Sequence, residues 1–454
     1  MEYPGTKFTS PIRLGMLIAF IAAFFIISPA ILMYTAGYRY DWHNGLLKET
    51  GSINIDVEPK NTTAYLNNIK LSEKIPIRLN NITPAKYNLR LTAAGYYDWT
   101  KEIEIKNKQT NYTKEISLIK KNKPEIVITE KIDNFSLSYD GRFIIYTTQK
   151  NTDTEIWLWD KILTEKKLIQ TIKNTTDLTV TWEEKSYYAA ISNPRTPYST
   201  LLILNAESPQ NSKELVKNGL IINKFQWNNG DEPQLYYGTK GEIYLYSPLT
   251  DRTQVVGQNK YLDWYMEGGK LWTLTLNTST DQYQITQDTL GFRSLFYQIS
   301  NDDLNFDTEN QNIKNNLQIV GAHLNTALIK TNQNSRMILV TTNNKYKITA
   351  DKFLVSKYNN WWLLWSEWEL WTYSQGEEPN LLNRSGEQLK YTLPLDQYNT
   401  LALIWGDKVS ALFPYYFVSH DLINEKIKTP QADTENKILY FINEEKGGIW
   451  KLAY

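Results

Sequence analysis

The feature that most constrains the fold is a repeat that runs from residue 125 to residue 454. Residues 135–146 read as a strand, an Asp-Gly turn and a second strand, and residues 155–160 read as a third strand. The same order returns after Trp182 and after Trp227, which are 45 residues apart. A period of about 40 to 50 residues with three or four short strands is typical of a β-propeller. The sequence therefore predicts a propeller over residues 125–454.

The number of blades is left open between eight and seven. Eight third strands are predicted, centred near residues 157, 203, 245, 285, 338, 370, 411 and 450. Eight blades would use about 41 residues each and seven about 47, and both values suit the architecture. The last unit ends on its third strand. We predict that residues 125–129 supply the missing outer strand and so close the ring.

The second constraint lies near the N-terminus, where residues 14–38 contain no charge. These 25 residues, as a helix rising about 1.5 Å per residue, are long enough to cross a hydrocarbon core of about 30 Å. The flanking Lys and Arg residues favour a cytoplasmic head at residues 1–13. The sequence therefore predicts a single-pass transmembrane helix that contacts membrane lipid, with the bulk of the chain extracytoplasmic.

A cleaved signal peptide is the alternative for this segment. Ser28 and Ala30 are small residues at the two positions that a signal peptidase reads. Cleavage there would leave an apolar new terminus at Ile31, and the apolar run is long for a signal peptide, so we favour the anchor.

Residues 51–119 are predicted to form a small domain of short alternating strands. Residues 52–57, 87–91 and 101–105 each alternate polar and apolar side chains, as half-buried strands do, and residues 63–66 and 75–79 are predicted as two further strands. With five or six such strands and no helix, the segment is typical of a β-sandwich. Residues 39–50 are interpreted as a juxtamembrane linker. Residues 120–124, three lysines and a proline without apolar residues, are interpreted as a second linker.

The predicted sandwich resembles a PEGA domain. The positions that carry the resemblance are Pro59, Ala64, Leu66-Asn67, Ile75-Pro76, Pro84, Tyr87 and Gly95-Tyr96. The chain departs from the family pattern after Pro59, where Lys60-Asn61-Thr62 stands, and at Ala85-Lys86, where a glycine is usual. The resemblance implies a domain of prokaryotic envelope and surface proteins without catalysis of its own.

The first propeller unit resembles the WD40-like repeats of TolB-type propellers. The resemblance rests on Ser138, Asp140 and Gly141 in the first turn and on Ile156-Trp157 in the third strand. Later units keep the layout but lose the aspartate. The resemblance implies architecture only, because propellers host many unrelated functions.

Composition excludes several classes of function. Lys plus Arg and Asp plus Glu both number 49, so the net charge is zero and no large basic field favours nucleic acid. The absence of cysteine excludes disulfides and thiolate chemistry. The three histidines, His43, His323 and His420, have no metal-ligand spacing, so no metal and no cofactor is predicted. Residues 302–307 are interpreted as an exposed acidic loop rather than a calcium loop.

The most conspicuous aromatic cluster lies at residues 361–371, which contain five tryptophans. A platform for stacking sugars is one interpretation. We favour core packing, with one or two of the five at a surface, because the cluster coincides with two predicted strands of one unit.

Taken together, these features predict an all-β chain apart from one transmembrane helix: a small β-sandwich followed by a β-propeller. The predicted function is non-enzymatic, a membrane-anchored scaffold that binds a protein or a cell-envelope glycan. The alternative is an envelope hydrolase or lyase with acidic residues at the propeller mouth. No motif for a nucleophile elbow or a phosphate loop occurs, so no catalytic residue is assigned and the binding residues are not identified.

Overall fold

The computed structural model describes the greater part of the chain. The described residues are 10–35, 37–41, 45–173, 178–193, 201–215, 222, 224–228, 230–239, 241–258, 261–280, 282–289, 292–300, 317–331, 336–356 and 360–454. The chain divides into two compact units, Met1–Lys121 and Asn122–Tyr454. This division falls within the segment interpreted as the second linker.

The first unit begins with helix α1 (Ser10–Thr35), of which Ile12–Thr35 is long and apolar enough to cross a membrane. Its large apolar side chains are exposed all round the helix, which suits a lipid environment rather than a protein core. The helix ends three residues before the predicted end at residue 38. Gly37 has a positive φ of 84°, and the Tyr34 carbonyl accepts hydrogen bonds from the Gly37 N–H at 3.2 Å and from the Arg39 guanidinium at 2.6 Å.

The segment interpreted as a juxtamembrane linker contains an antiparallel hairpin. Its strands are β1 (Tyr38–Asp41) and β2 (Leu46–Glu49). The Lys108 ammonium, from the neighbouring domain of the same unit, contacts Glu49 at 2.9 Å and Tyr38.

Two sheets form the predicted β-sandwich. In the first sheet β3 lies between β6, which is antiparallel to it, and β9, which is parallel; the second sheet has the order β5-β4-β7-β8. The strands are β3 (Gly51–Glu58), β4 (Thr63–Leu66), β5 (Ile69–Lys70), β6 (Ile77–Ile82), β7 (Ala85–Thr92), β8 (Trp99–Ile105) and β9 (Thr110–Ser117). Sequence analysis located β3, β4, β6, β7 and β8 but missed β5 and β9.

The alternation that predicted these strands also builds their core. Along β3 every second residue is buried, and Ile53, Ile55 and Val57 lie on one face. Trp99 and Leu91 are fully buried between the sheets. Gly51 is required where β3 begins, because a Cβ atom there would lie 2.5 Å from the Lys106 carbonyl oxygen.

The second unit consists of four-stranded antiparallel sheets, and eight are present among the described residues. Seven follow the chain: β11 (Asn134–Leu137), β12 (Phe143–Lys150), β13 (Asp153–Asp160), β14 (Glu165–Ile172); β15 (Thr179–Trp182), β16 (Tyr188–Ser192), β17 (Leu201–Asn205), β18 (Lys213–Leu215); β19 (Lys224–Trp227), β20 (Leu235–Thr239), β21 (Glu242–Ser247), β22 (Arg252–Gln258); β23 (Asp263–Glu267), β24 (Lys270–Asn277), β25 (Gln282–Thr289), β26 (Phe292–Ile299); β27 (Gln318–His323), β28 (Thr326–Lys330), β29 (Met337–Thr341), β30 (Lys345–Ile348); β31 (Lys352–Val355), β32 (Trp362–Trp365), β33 (Glu369–Tyr373), β34 (Asn380–Arg384); and β35 (Tyr391–Pro394), β36 (Leu401–Ile404), β37 (Val409–Phe413), β38 (Val418–Ile423). A short 3₁₀ helix (Pro209–Asn211) lies between β17 and β18.

The eighth sheet joins the two ends of the unit. It has the order β10-β41-β40-β39, where β10 (Glu125–Ile128) comes from the start and β39 (Ile427–Asp433), β40 (Ile438–Asn443) and β41 (Ile449–Ala453) come from the end. Ile126 pairs with Trp450 and Ile128 with Ile449, and Ile128 is buried. This is the closing strand that the sequence predicted. The sheets that the structure describes thus number eight, the larger of the two counts left open.

We label the strands of each sheet, or blade, a to d in chain order, with β39, β40, β41 and β10 as a to d of blade 8. Neighbouring a strands are linked directly. The Gln431 side chain of β39 donates to the Phe135 carbonyl and accepts from the Leu137 N–H of β11, both at 2.8 Å. Gln226 of β19 likewise bonds both backbone groups of Met266 in β23. The a strands therefore form the inner ring of a β-propeller, which confirms the predicted fold class.

The core lies between adjacent blades rather than within one. One cluster joins Phe143 and Ile145 of blade 1 to Ala189 and Ile191 of blade 2. The tryptophans at residues 361–371 follow this pattern, because Trp362 and Trp365 are buried. Trp368, at the turn between β32 and β33, is 51% exposed. The prediction of core packing with one or two rings at a surface is confirmed.

Candidate functional site

The two faces of the propeller are built from different turns. In an antiparallel blade the a–b and c–d turns lie at one end of the sheet and the b–c turn lies at the other. Because the a strands of all blades form the inner ring, the a–b and c–d turns of every blade lie on the same side of the molecule. We call that side the a–b face.

Exposed large apolar side chains mark the a–b face. They lie in or beside its turns in blades 1, 3, 4, 5 and 7 and are between 41% and 83% exposed. We call them the turn-tip residues: Tyr139, Ile162, Leu163, Leu249, Phe292, Leu324, Tyr415 and Phe417. Among the described residues at the opposite ends of the blades, Leu262, Leu276, Trp368 and Tyr391 are exposed. Single exposed apolar residues are ordinary on any surface, but a set that recurs at one face marks that face as the candidate binding surface.

The local structure holds several turn tips in place. The Tyr415 ring stacks on Trp361 of the next blade, with ring centroids 5.7 Å apart. The Tyr139 ring stacks on Tyr187 at 5.3 Å, and the Tyr187 hydroxyl donates a 2.7 Å hydrogen bond to Asp140. That bond is the main cause of a raised Tyr187 pKa. Two of the turn tips, Tyr139 and Tyr415, therefore stand on aromatic supports.

The aspartate of the TolB-like turn serves the turn itself. Asp140 accepts hydrogen bonds from the Ser138 hydroxyl and from the Arg142 N–H. Burial raises the pKa of Asp140, but the hydrogen bonds outweigh it and the pKa stays below its usual value. Asp140 is thus an ionised, fully engaged carboxylate that shapes the a–b turn of blade 1.

A cluster of polar groups joins blades 4, 5 and 6 at the a–b ends of their inner strands. His323, the last residue of β27, lies with Nδ1 3.1 Å from Glu267 of β23 and Nε2 2.7 Å from the Asn360 amide oxygen. His323 and Glu267 retain only about a fifth of their side-chain exposure. The two partners fix the imidazole ring, so the cluster holds neighbouring blades in register.

A second charged cluster lies at the other end of the same strands. The Lys224 ammonium, on β19, lies 3.2 Å from both carboxylate oxygens of Asp263 and donates a 2.8 Å hydrogen bond to the Ile319 carbonyl. Asp263 in turn accepts from the Ile319 N–H. Burial lowers the pKa of Lys224 against the opposing effect of Asp263. This bridge ties the inner strands of blades 3, 4 and 5 together.

Two of the three histidines that sequence analysis considered as metal ligands lie in the described part of the chain. His323 is joined to an acidic side chain, and His420 lies against Phe413; His43 and the acidic loop at residues 302–307 lie outside the described residues. Within the described part of the chain, no group of three His, Asp or Glu residues is arranged to hold a metal ion. Glu183, in the a–b turn of blade 2, is buried, and its carboxylate accepts the Lys185 N–H within that turn.

A polar cavity of about 300 Å³ lies on the a–b face between blades 5 and 6. Its lining comes from turns of both blades, with Tyr346 and Tyr373 beneath: Asn325, Thr341, Thr342, Asn343, Asn344, Tyr346, Tyr373, Gln375, Gly376 and Glu377. Sequence analysis missed this cavity and the turn tips. A signal was available for the latter, since Ile162-Leu163 and Tyr415 occupy predicted turn positions where polar residues are usual. The cavity could not be predicted in this way, because its lining comes from turns of two blades that are distant in the sequence.

Comparison with known protein families confirms the resemblance of the small sandwich domain to a PEGA domain. Residues 50–122 match the PEGA domain, a segment that contains the whole sandwich. No curated protein matches the chain.

Solved structures that are similar to the chain include β-propeller domains, and those reported below are at most 12% identical to it. The propeller domain of Cps50 (Swd1) from Myceliophteria thermophila is 10% identical, with 73% of this chain and 100% of that chain covered and a TM-score of 0.40. The propeller domain of the Trilobed protease from Pyrococcus furiosus is 10% identical over 64% and 98%, with a TM-score of 0.42. An uncharacterized protein from Listeria monocytogenes is 12% identical over 67% and 98%, with a TM-score of 0.40. Because the sequence identities and TM-scores are low, the propeller is assigned from its own strand order and not from these similarities.

Proposed function

We propose that the protein is a membrane-anchored scaffold whose propeller binds another protein through the a–b face. The observation that carries this proposal is the set of exposed turn-tip residues. They are distributed over five blades, so an occupant that buries them must span much of the face. A protein surface has that extent, whereas a small ligand does not.

The energetics suit protein binding. Burying one large apolar side chain completely stabilises a complex by about 1.5–3 kcal/mol before the costs of association. Tyr415 and Phe417 are about 60% exposed, so each can bury a large apolar surface when a partner binds. The stacked support of Tyr415 on Trp361 lowers the entropy that binding would cost, as in the aromatic anchors of known interfaces.

The alternative of a hydrolase or lyase requires closely paired carboxylates. Instead, Asp263 faces the ammonium of Lys224, and Glu267 faces the imidazole of His323. A mixed inner ring of this kind favours binding over acid–base catalysis.

The binding proposal is tested by co-purification of the full chain from solubilised membranes. The variant Leu249→Ser/Tyr415→Ser/Phe417→Ser should weaken capture of the partner at least tenfold, since centrally buried aromatic side chains contribute about 2 kcal/mol or more each. The matched control Leu262→Ser/Trp368→Ser alters exposed apolar residues away from the a–b face and should retain the partner. Loss in the control alone would contradict the proposal.

The anchor itself is a separate part of the proposal. Helix α1 is expected to hold the protein in the membrane with its N-terminus inside and the PEGA and propeller units outside. The match to the PEGA domain, a family known from envelope proteins, supports this location. The protein should then resist alkaline carbonate extraction, and protease added outside the cell should reach the propeller. A soluble form that begins near Ile31 would show that the segment is a cleaved signal peptide.

A further inference from the structure

We propose that the cavity between blades 5 and 6 is a binding site for a neutral carbohydrate. This inference goes beyond the proposed protein-binding function, because it rests on the cavity and not on the turn-tip residues. Its volume of about 300 Å³ lies at the lower end of the range for small-ligand sites, about 300–1,000 Å³.

The lining has the chemistry that recognises sugar hydroxyls. Asn325 from the a–b turn of blade 5, Asn343 from its c–d turn and Gln375 from the c–d turn of blade 6 converge on the cavity. Each carboxamide offers a donor and an acceptor side by side, which matches a hydroxyl that both donates and accepts. All three side chains are exposed, and none is hydrogen-bonded to another described residue. They are therefore available to a ligand.

The backbone around these amides is already ordered by its own hydrogen bonds. The Thr341 N–H and hydroxyl both donate to the Asn344 carbonyl, and the Asn344 N–H donates back to the Thr341 hydroxyl. In blade 6 the Glu377 N–H donates to the Ser374 carbonyl, and Gly376 has a φ of 90° that a larger residue would adopt only with strain. The amide side chains thus project from fixed turns, which lowers the cost of ordering them on binding.

Two tyrosines give the cavity an aromatic base. Tyr346 is half-buried and Tyr373 is buried, with ring centroids 6.2 Å apart. An aromatic surface beneath hydrogen-bonding amides suits a sugar ring, which has apolar C–H groups as well as hydroxyls. Among the described lining residues, the only ionisable side chain besides the tyrosines is that of Glu377, and no Lys or Arg takes part. An anionic ligand would meet repulsion without compensation, which favours a neutral saccharide over an acidic one.

The architecture argues against a peptide in this cavity. Peptides that bind extended add a strand to a free sheet edge and use its row of backbone groups. Here the amides come from three turns of two blades, which meet at a compact concavity. That geometry fits a short saccharide unit.

The test uses the detergent-solubilised full chain and two trisaccharide probes in saturation-transfer NMR. Maltotriose should bind with a dissociation constant of about 1 mM, as expected for an open site with few desolvated contacts. Trigalacturonate, which carries carboxylates, should bind at least tenfold more weakly. The variant Asn343→Ala/Gln375→Ala, which removes an amide from each blade, should weaken maltotriose binding about tenfold with an unchanged melting temperature.

The matched control is Gln210→Ala, an exposed amide in the c–d connection of blade 2, which should leave maltotriose binding unchanged. The inference would be overturned if maltotriose shows no saturation transfer at 20 mM, on the order of twenty times the expected constant. It would also be overturned if trigalacturonate binds equally well, or if the double variant binds as the unmodified chain does. None of these results bears on protein binding by the turn tips, so the two proposals fail separately.

Discussion

The inner ring of the propeller is held together differently at two places. Where the chain closes on itself, the inner strands of blades 8 and 1 are joined by a neutral link, the Gln431 amide on the backbone of β11. In the outer part of blade 8, β10 pairs with β41, and Glu125 and Lys451 add an exposed ion pair at 3.2 Å. Across blades 3, 4 and 5 an ionic link is added to an amide link: Gln226 bonds the backbone of Met266, and Lys224 and Asp263 bridge to the backbone of Ile319. The first region we call the closing seam and the second the charged seam.

The two seams differ in the desolvation cost of the groups that link the blades and in the part of the propeller that they stabilise. An amide satisfies backbone groups without the desolvation cost of a charge, which suits the seam that must keep two chain ends together. The charged seam lies at the opposite end of the inner strands that carry Glu267 and His323 at the a–b face, where the turn tips and the polar cavity lie. We infer that charges are retained there because they fix the register of the blades that carry the candidate sites, at some cost in stability.

The largest expected effect comes from opening the closing seam. Deletion of residues 125–128 removes the outer strand of blade 8 and the burial of Ile128, a loss of several kcal/mol. The melting temperature should fall by about 10 °C, measured by calorimetry on the full chain. Ile126 is 45% exposed, and Ile126→Ala is the matched control with an expected change below about 2 °C. An unaffected melting temperature after the deletion would mean that the ring is closed elsewhere.

Removing the negative charge of the charged seam should have the next largest effect. Asp263→Asn leaves the Lys224 ammonium without its partner and should lower the free energy of unfolding by about 3 kcal/mol, measured in urea. The value lies at the low end for a broken pair, because the side chains of Lys224 and Asp263 keep 25% and 14% of their exposure. Gln431→Ala at the closing seam should cost about 1–2 kcal/mol.

The double variant Lys224→Met/Asp263→Asn separates the cost of an unpaired charge from the loss of a contact. It should recover much of the stability that Asp263→Asn loses, since no charge remains buried. If the double variant is less stable than Asp263→Asn alone, the seam contributes through packing of the lysine stem and our account of the charged seam is wrong.

The smallest effect concerns alkaline pH. Burial, with Glu267 as the next cause, raises the pKa of Tyr265 on β23 to about 12. The unfolded chain loses this proton near pH 10, so between about pH 10 and 12 the folded state binds more protons and stability falls as pH rises. Tyr265→Phe should make that fall shallower by up to about 1.4 kcal/mol per pH unit. Gln431→Ala, where no ionisable group is changed, should leave the slope as it is; equal slopes for Tyr265→Phe and the unmodified chain would contradict the prediction.

Sequence analysis found the parts of the fold that depend on local patterns. Period-two alternation located β3 and most strands of the sandwich, and the 45-residue spacing located the blades and even the return of β10 to the last sheet. It failed where partners are distant in the chain. Glu267 and His323 are 56 residues apart, and Asn325 and Gln375 meet only because adjacent blades place their turns side by side. Such contacts form only when the blades are arranged around the propeller axis, and short sequence patterns do not specify which turns then become neighbours.

The central claim is that the a–b face binds a protein, and site-specific photocrosslinking in intact cells tests it most directly. A photoreactive amino acid is placed at Leu249 or Phe417 on the a–b face and, for comparison, at Leu262 or Trp368 away from it. We predict a discrete protein adduct of one size from both positions on the a–b face and little or none from the other two. Adducts only from Leu262 and Trp368, or adducts with lipid instead of protein at Phe417, would contradict the account.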